Sequence, residues 1–131
     1  MLGIIITGGV NGSGALTSVE LLKADGSQTS CSLPQLPEGR RVHSQTGLTA
    51  CGGYDSDDIK RSCVTLSGGF WTRSHNLVSP RGFHTSWESH QGIMLLGGGV
   101  EALSGGYSNT TELLKEDGTS EELFHLKYPS R

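Results

Sequence analysis

The sequence predicts an all-β protein assembled from a repeated antiparallel unit of about 44 residues, and three observations carry that prediction. First, a short apolar run closing in paired glycines occurs three times, at residues 3–9 (GIIITGG), 48–53 (LTACGG) and 92–98 (GIMLLGG). The pairs begin at residues 8, 52 and 97, at intervals of 44 and 45, a period that marks repeat architectures. Second, residues 20–27 (ELLKADGS) return 92 positions later as residues 112–119 (ELLKEDGT), with six of the eight identical. Third, glycine fills 20 of the 131 positions, about twice its ordinary share of roughly 7 per cent, without a collagen-like period. It gathers at turns, which favours many short strands over helices.

The first unit covers residues 1–39. Its opening run, Gly3-Ile4-Ile5-Ile6-Thr7, reads as a strand and not as a leader, because it lacks a basic flank and is too short. After Gly8-Gly9, the segment at 10–15 is a dense turn signal with an Asn11-Gly12 step. Residues 17–23 then read as a second strand, closed by Asp25-Gly26, whose residues both tolerate positive φ. A third strand is expected near residues 28–33, ending where Pro34 and Pro37 withdraw their donors from any ladder.

The second unit, residues 40–80, and the third, residues 81–131, each read as four strands. In the second, an opening strand at 40–46 passes through Gly47 into the glycine-pair strand at 48–53. The loop 54–61 leads to a strand at 62–66, Ser67-Gly68-Gly69 turns the chain, and a last strand starts at Phe70-Trp71. In the third, 81–87 is the opening strand and 93–96 lies before its glycines. A longer loop runs through Tyr107 to the second ELLK strand. Arg40-x-x-His43-Ser44 matches Arg81-x-x-His84-Thr85 at an offset of 41. The total is eleven strands, with the first unit lacking an opening strand.

A four-stranded unit of this length, with Arg-x-x-His opening its first strand, Gly-Gly closing its second and Trp71 at the start of its fourth, resembles a kelch repeat. The structural signature is Gly8, Gly9, Gly52, Gly53, Gly97, Gly98 and Trp71; the first and third units lack the tryptophan. The resemblance spans essentially the whole chain and implies a partial β-propeller of kelch-type blades, about 2.75 in number. Ile4-Ile5-Ile6 and Met94-Leu95-Leu96 are apolar without alternation, as expected of strands buried on both faces. Propellers close with about 4 to 8 blades. Fewer than three leave blade faces exposed, so the expected partner is a second copy, closing a six-bladed ring, or the remaining blades of a longer chain.

Composition narrows the function. With 13 acidic and 10 basic residues and no basic stripe, nucleic acid is not an expected partner. No apolar run approaches the roughly 18 residues of a membrane helix, so a soluble location, cytoplasmic or extracellular, is expected. No cofactor or metal motif stands out, and Cys31, Cys51 and Cys63 are too few and scattered for a metal site. Free, partly buried thiols are the expected state of these cysteines; the alternative sets Cys51 and Cys63 across a hairpin from each other, where an oxidising compartment permits a disulfide. The resemblance implies ligand binding at a rim where Arg40, Arg41 and Arg81 enter the strands, the planar guanidinium suiting carboxylate-bearing peptides. Because Arg40 and Arg81 recur in register, pairing inside the repeat explains them better; Arg41 does not recur and is freer to bind. His43 and His84 recur likewise. Tyr54, Asp55 and Asp57 lie in a loop of the same rim. The acidic run at 55–58 lacks the Gly and Glu of the helical calcium loop and reads as a solvated turn. Asn11 and Asn109 satisfy the glycosylation pattern in loops of one class. The expected function is a non-catalytic protein-interaction scaffold; the alternatives are a kelch-type enzyme, for which no catalytic constellation is found, or an extracellular glycan- or matrix-binding module.

Overall fold

The computed structural model describes residues 3–27, 33–55, 58–97 and 108–128. Its described elements are all strands, in four antiparallel sheets of two to four strands, and no sheet closes on itself. None of the described residues forms a helix long and apolar enough to cross a membrane.

The first unit holds β1 (Gly3–Thr7) paired with β4 (Val19–Lys23), and between them a small hairpin of β2 (Val10–Asn11) and β3 (Gly14–Ala15). That hairpin occupies a stretch expected only to turn. The Asn11 side chain accepts a hydrogen bond from the Ser13 amide at 2.8 Å and closes it. The third strand expected near 28–33 lies, but for Leu33, outside the described residues, as do Cys31, Asp57 and Gly98. Leu33 itself is not in a strand.

The second and third units are four-stranded meanders. One runs β5 (Ser44–Thr46), β6 (Thr49–Cys51), β7 (Ser62–Ser67), β8 (Phe70–Asn76). The other runs β9 (Thr85–Ser89), β10 (Gly92–Leu96), β11 (Thr110–Leu114), β12 (Ser120–His125). The opening strands therefore begin at Ser44 and Thr85, four residues later than the expected 40 and 81. The cause is local. Val42 and Phe83 have φ of 49° and 55°, a left-handed backbone that leaves the strand region and that a β-branched residue adopts only under constraint. Residues 40–43 and 81–84 thus form a bent entry ahead of each strand.

Both faces of the second sheet are covered. On one, Ala50 and Val64 pack with Leu36, Val19 and Trp71, joining the first unit to the second. On the other, Cys51 and Cys63 pack with Leu77, Leu95 and Leu114, joining the second to the third. Cys51 and Cys63 are not the free thiols expected: as register partners on β6 and β7 they are joined by a disulfide within this cluster. Trp71 directs its indole N–H to the Pro34 carbonyl at 2.7 Å, satisfying its one donor where the ring is half-buried. The first sheet departs from expectation. Ile4 and Ile6 are 59% and 48% exposed, so β1 is not buried on both faces; no described element covers the side that carries them. Met94 and Leu95 are buried as expected.

The ELLK copies are copies in geometry too. In each, an aspartate side chain, Asp25 or Asp117, accepts the amide of the residue two positions on, at 2.8 and 2.9 Å. In each, the preceding lysine amide, Lys23 or Lys115, donates across the turn at 2.9 Å. The hydrogen bonds from Ser27 and Thr119 hold the carboxyls of Asp25 and Asp117 below the usual carboxylate range.

Candidate functional site: an arginine–glycine clamp and the exposed edge beside it

The first two glycine pairs and the two Arg-x-x-His segments meet in space, each of these pairs with the segment of the following unit. The Gly9 amide donates to the Arg40 carbonyl at 2.8 Å, and the Gly53 amide to the Arg81 carbonyl at 2.6 Å. The first glycine of each pair donates within its own unit, Gly8 to Ser18, Gly52 to Ser62 and Gly97 to Thr110. A Cβ on Gly8 or Gly52 would fall against the same arginine carbonyl and against His43 or His84. Glycine is required there by close approach as well as by φ of +65° at both.

Each arginine then turns its side chain into its own unit. Arg40 Nη1 donates to the carbonyls of Gly52 and Ser62, both at 2.8 Å. Arg81 Nη1 donates to those of Gly97 at 3.1 Å and Thr110 at 3.2 Å. Both residues are fully buried. One residue thus links two units, by its backbone to the preceding glycine pair and by its guanidinium to the second and third strands of its own sheet. Arg81 is completed by Glu112, also fully buried, whose carboxylate accepts from Nε at 2.7 Å. Nη2 is taken by the Thr110 hydroxyl. Val64 stands in the second unit where Glu112 stands in the third, so the Arg40 Nε has no partner among the described residues. Glu38 instead reaches Arg40 Nη2 at 3.3 Å.

The histidines belong to the same clamp. The Thr7 hydroxyl donates to Gln45 Oε1 at 2.6 Å and accepts from His43 Nε2 at 2.9 Å, which makes His43 the Nε2–H tautomer. His84 Nε2 meets the Ser44 hydroxyl at 2.8 Å. In both rings Nδ1 is buried without a partner. A proton there would be an unsatisfied donor beside a cationic guanidinium. Burial, and then the charge of Arg40 or Arg81, pushes each histidine down to about 4. Both rings are neutral at pH 7.

Arg40, Arg81, His43 and His84 therefore lie inside the molecule and hold its units together. The surface candidates come out differently. Arg41 is exposed, pairs its backbone with Tyr54 in both directions at 2.9 Å, and sets its guanidinium carbon 5.9 Å from the Tyr54 ring centroid, within range of a cation–π contact. Phe83, 44% exposed, meets the same ring edge-on at 6.1 Å. The two left-handed residues meet here, the Phe83 amide donating to the Val42 carbonyl at 2.8 Å. Exposed Arg41 and Phe83 flank the half-buried Tyr54 ring and make with it one cationic and aromatic edge. Asp55 is engaged beside it, its carboxylate accepting from Lys60 Nζ at 3.0 Å, while Glu38 takes the same ammonium at 2.7 Å. Burial raises the Glu38 carboxyl, but hydrogen bonding and charge from Lys60, with the charge of Arg40, outweigh it and leave it lowered.

Asn11 is exposed, whereas the Asn109 amide is half-buried and donates to the Leu126 carbonyl at 3.3 Å, a bond that a glycan on that nitrogen would have to share. Sequence reasoning did not find Phe83 or the Glu38–Lys60 pair. The offset of 41 that aligns the arginines also aligns Val42 with Phe83, and that was the available signal for Phe83. No protein-family model and no curated protein matches the chain.

Proposed function

We propose that the chain is a segment of a kelch-type β-propeller and serves as a non-catalytic interaction scaffold, its ligand edge being Arg41, Tyr54 and Phe83. The observation that carries the propeller reading is the recurring clamp: three successive units, two of them four-stranded meanders, with each arginine bridging its unit to the glycine pair before it. Two such joints share one hydrogen-bond pattern, which is what a ring or an arc of repeated blades calls for. The exposed Ile4 and Ile6 then belong to a face that a further blade covers, from a second copy or from the same polypeptide.

The ligand reading rests on the edge made by Arg41, Tyr54 and Phe83. A planar cation beside two aromatic rings suits a peptide that presents a carboxylate next to an apolar side chain. Constrained left-handed residues concentrate at binding sites, where surrounding structure holds them in place. An acidic peptide library displayed against the protein, followed by Arg41→Glu and Phe83→Ala, tests this. Each substitution is expected to weaken a selected peptide at least tenfold while leaving the unfolding midpoint in place; unchanged binding by both variants removes the edge from the proposal. Light scattering across a tenfold dilution tests ring closure by self-association. A mass near twice 13.9 kDa supports a six-bladed ring of two copies, and a stable monomer excludes it.

A further inference from the structure

We propose that the outer edge of β1 receives an extended peptide strand bearing Arg-x-x-His, whose guanidinium is held by the carbonyls of Gly8 and Ser18. The inference rests on the repeat reading above and names the chemistry of what completes the first unit. β6 and β10 each carry a strand on the edge away from the third strand of their sheet: β5 on β6, β9 on β10. On β1 no described strand occupies that edge.

The carbonyl pairs match position by position. Arg40 takes Gly52 and Ser62; Arg81 takes Gly97 and Thr110. Each pair is a first glycine and the third-strand residue that accepts its amide. In the first unit that pair is Gly8 and Ser18, joined in the same way at 2.8 Å, and no described guanidinium reaches them. Glu20 follows Ser18 by two positions, as Glu112 follows Thr110, so the first unit repeats in sequence the carboxylate position of the Arg81 clamp.

Two further features fit a strand here. Gln45 of the second unit lays its amide along this edge, donating to the Ile5 carbonyl at 2.9 Å and accepting from Thr7. A side chain thus stands in for the peptide groups of a neighbouring strand. Beside it, a groove of about 750 Å³ is lined by Ile5, Leu21, Gly47 and Leu48. It offers apolar walls to an incoming strand on the side facing the second unit, while Ile4 and Ile6 offer them on the other. Strand addition of this kind takes affinity from main-chain hydrogen bonds and specificity from a few side chains.

The probe is a fluorescein-labelled synthetic peptide of residues 79–90 (SPRGFHTSWESH), titrated with the 131-residue protein and followed by anisotropy. Saturable binding is expected, weakened at least tenfold by Arg81→Ala in the peptide and at least tenfold by Glu20→Lys in the protein. Absence of binding, or binding indifferent to both changes, overturns the proposal. So does light scattering that finds a tight dimer refusing the peptide, since the edge then belongs to a second copy. Arg40→Ala and Arg81→Ala in the protein itself separate this from the repeat reading. If they lower the unfolding midpoint while the peptide does not bind, the clamp stands and the receiving site falls. If they leave the midpoint unmoved, the clamp is wrong and the receiving site falls with it.

Discussion

Two glycines with nearly the same backbone show how a residue's importance depends on what lies next to it. Gly52 has φ +65° and Gly68 φ +60°, but a Cβ at Gly52 would strike the Arg81 carbonyl and the His84 ring, whereas at Gly68 it would meet nothing within 4 Å. Gly68→Ala is expected to cost about 1 kcal/mol, the left-handed penalty alone. Gly52→Ala adds a collision with backbone and is expected to cost about 3 kcal/mol or more. Urea denaturation of the two variants checks this, and equal midpoints would mean that Gly52 does not hold the arginine segment closely. The histidines give the second prediction at this scale. His43 and His84 titrate near 4 in the folded chain against an ordinary 6.5, so between those values the unfolded chain binds more protons and stability falls as pH falls. Each ring accounts for up to about 3 kcal/mol, lost between pH 6.5 and 4. The double variant His43→Gln, His84→Gln should flatten the stability profile between pH 6.5 and 5, above the range where most carboxylates titrate. An unchanged slope there would place the acid sensitivity elsewhere.

At the scale of elements, the disulfide ties β6 to β7 across a sequence separation of 12, in the cluster that joins the second sheet to the third. Closing a loop of that length stabilises by about 3 kcal/mol in the chain-entropy model. Cys51→Ala, Cys63→Ala should lower the unfolding free energy by about that amount, and reductant should shift the parent but not the variant. An equal response of both to reductant would show the bond to be absent in the isolated protein. The sequence announced these two sheets well. The glycine pairs mark where β1, β6 and β10 end and the Asp117-Gly118 step marks the turn between β11 and β12, because they act through the backbone, and the period of about 44 residues spaces the two four-stranded sheets. Where opening strands begin was not legible, since Val42 and Phe83 show no preference for a left-handed backbone. They adopt it because the Arg40 and Arg81 carbonyls are claimed by glycine amides of the preceding unit, a long-range constraint. The arginines illustrate the same limit. Their recurrence pointed to a structural role, but only the fold shows one residue gripping two units. Nothing in Val64 or Glu112 taken singly says that one faces a bare Nε and the other completes a clamp.

Over the whole molecule, stability should be graded along the chain. The second sheet has a neighbour on each face, through Val64 on one side and Cys63 on the other. Among the described residues the first sheet is covered on one side only, with Ile4 and Ile6 59% and 48% exposed and β4 the one described strand beside β1. In a linear array of packed units, a unit's protection is its own stability plus the interfaces it shares, so the middle unit opens least often. Native-state hydrogen exchange should find the slowest amides in β6 and β7, at Ala50, Cys51, Val64 and Thr65. The fastest strand amides should lie in β1. Covering the β1 edge, by a second copy or by the Arg-x-x-His peptide, should slow exchange in β1 far more than in β7, because binding adds an interface to the first unit alone. Uniform slowing across all three units would instead mean that the chain unfolds as one block, and the joints made by Arg40 and Arg81 would then be no weaker than the sheets they connect.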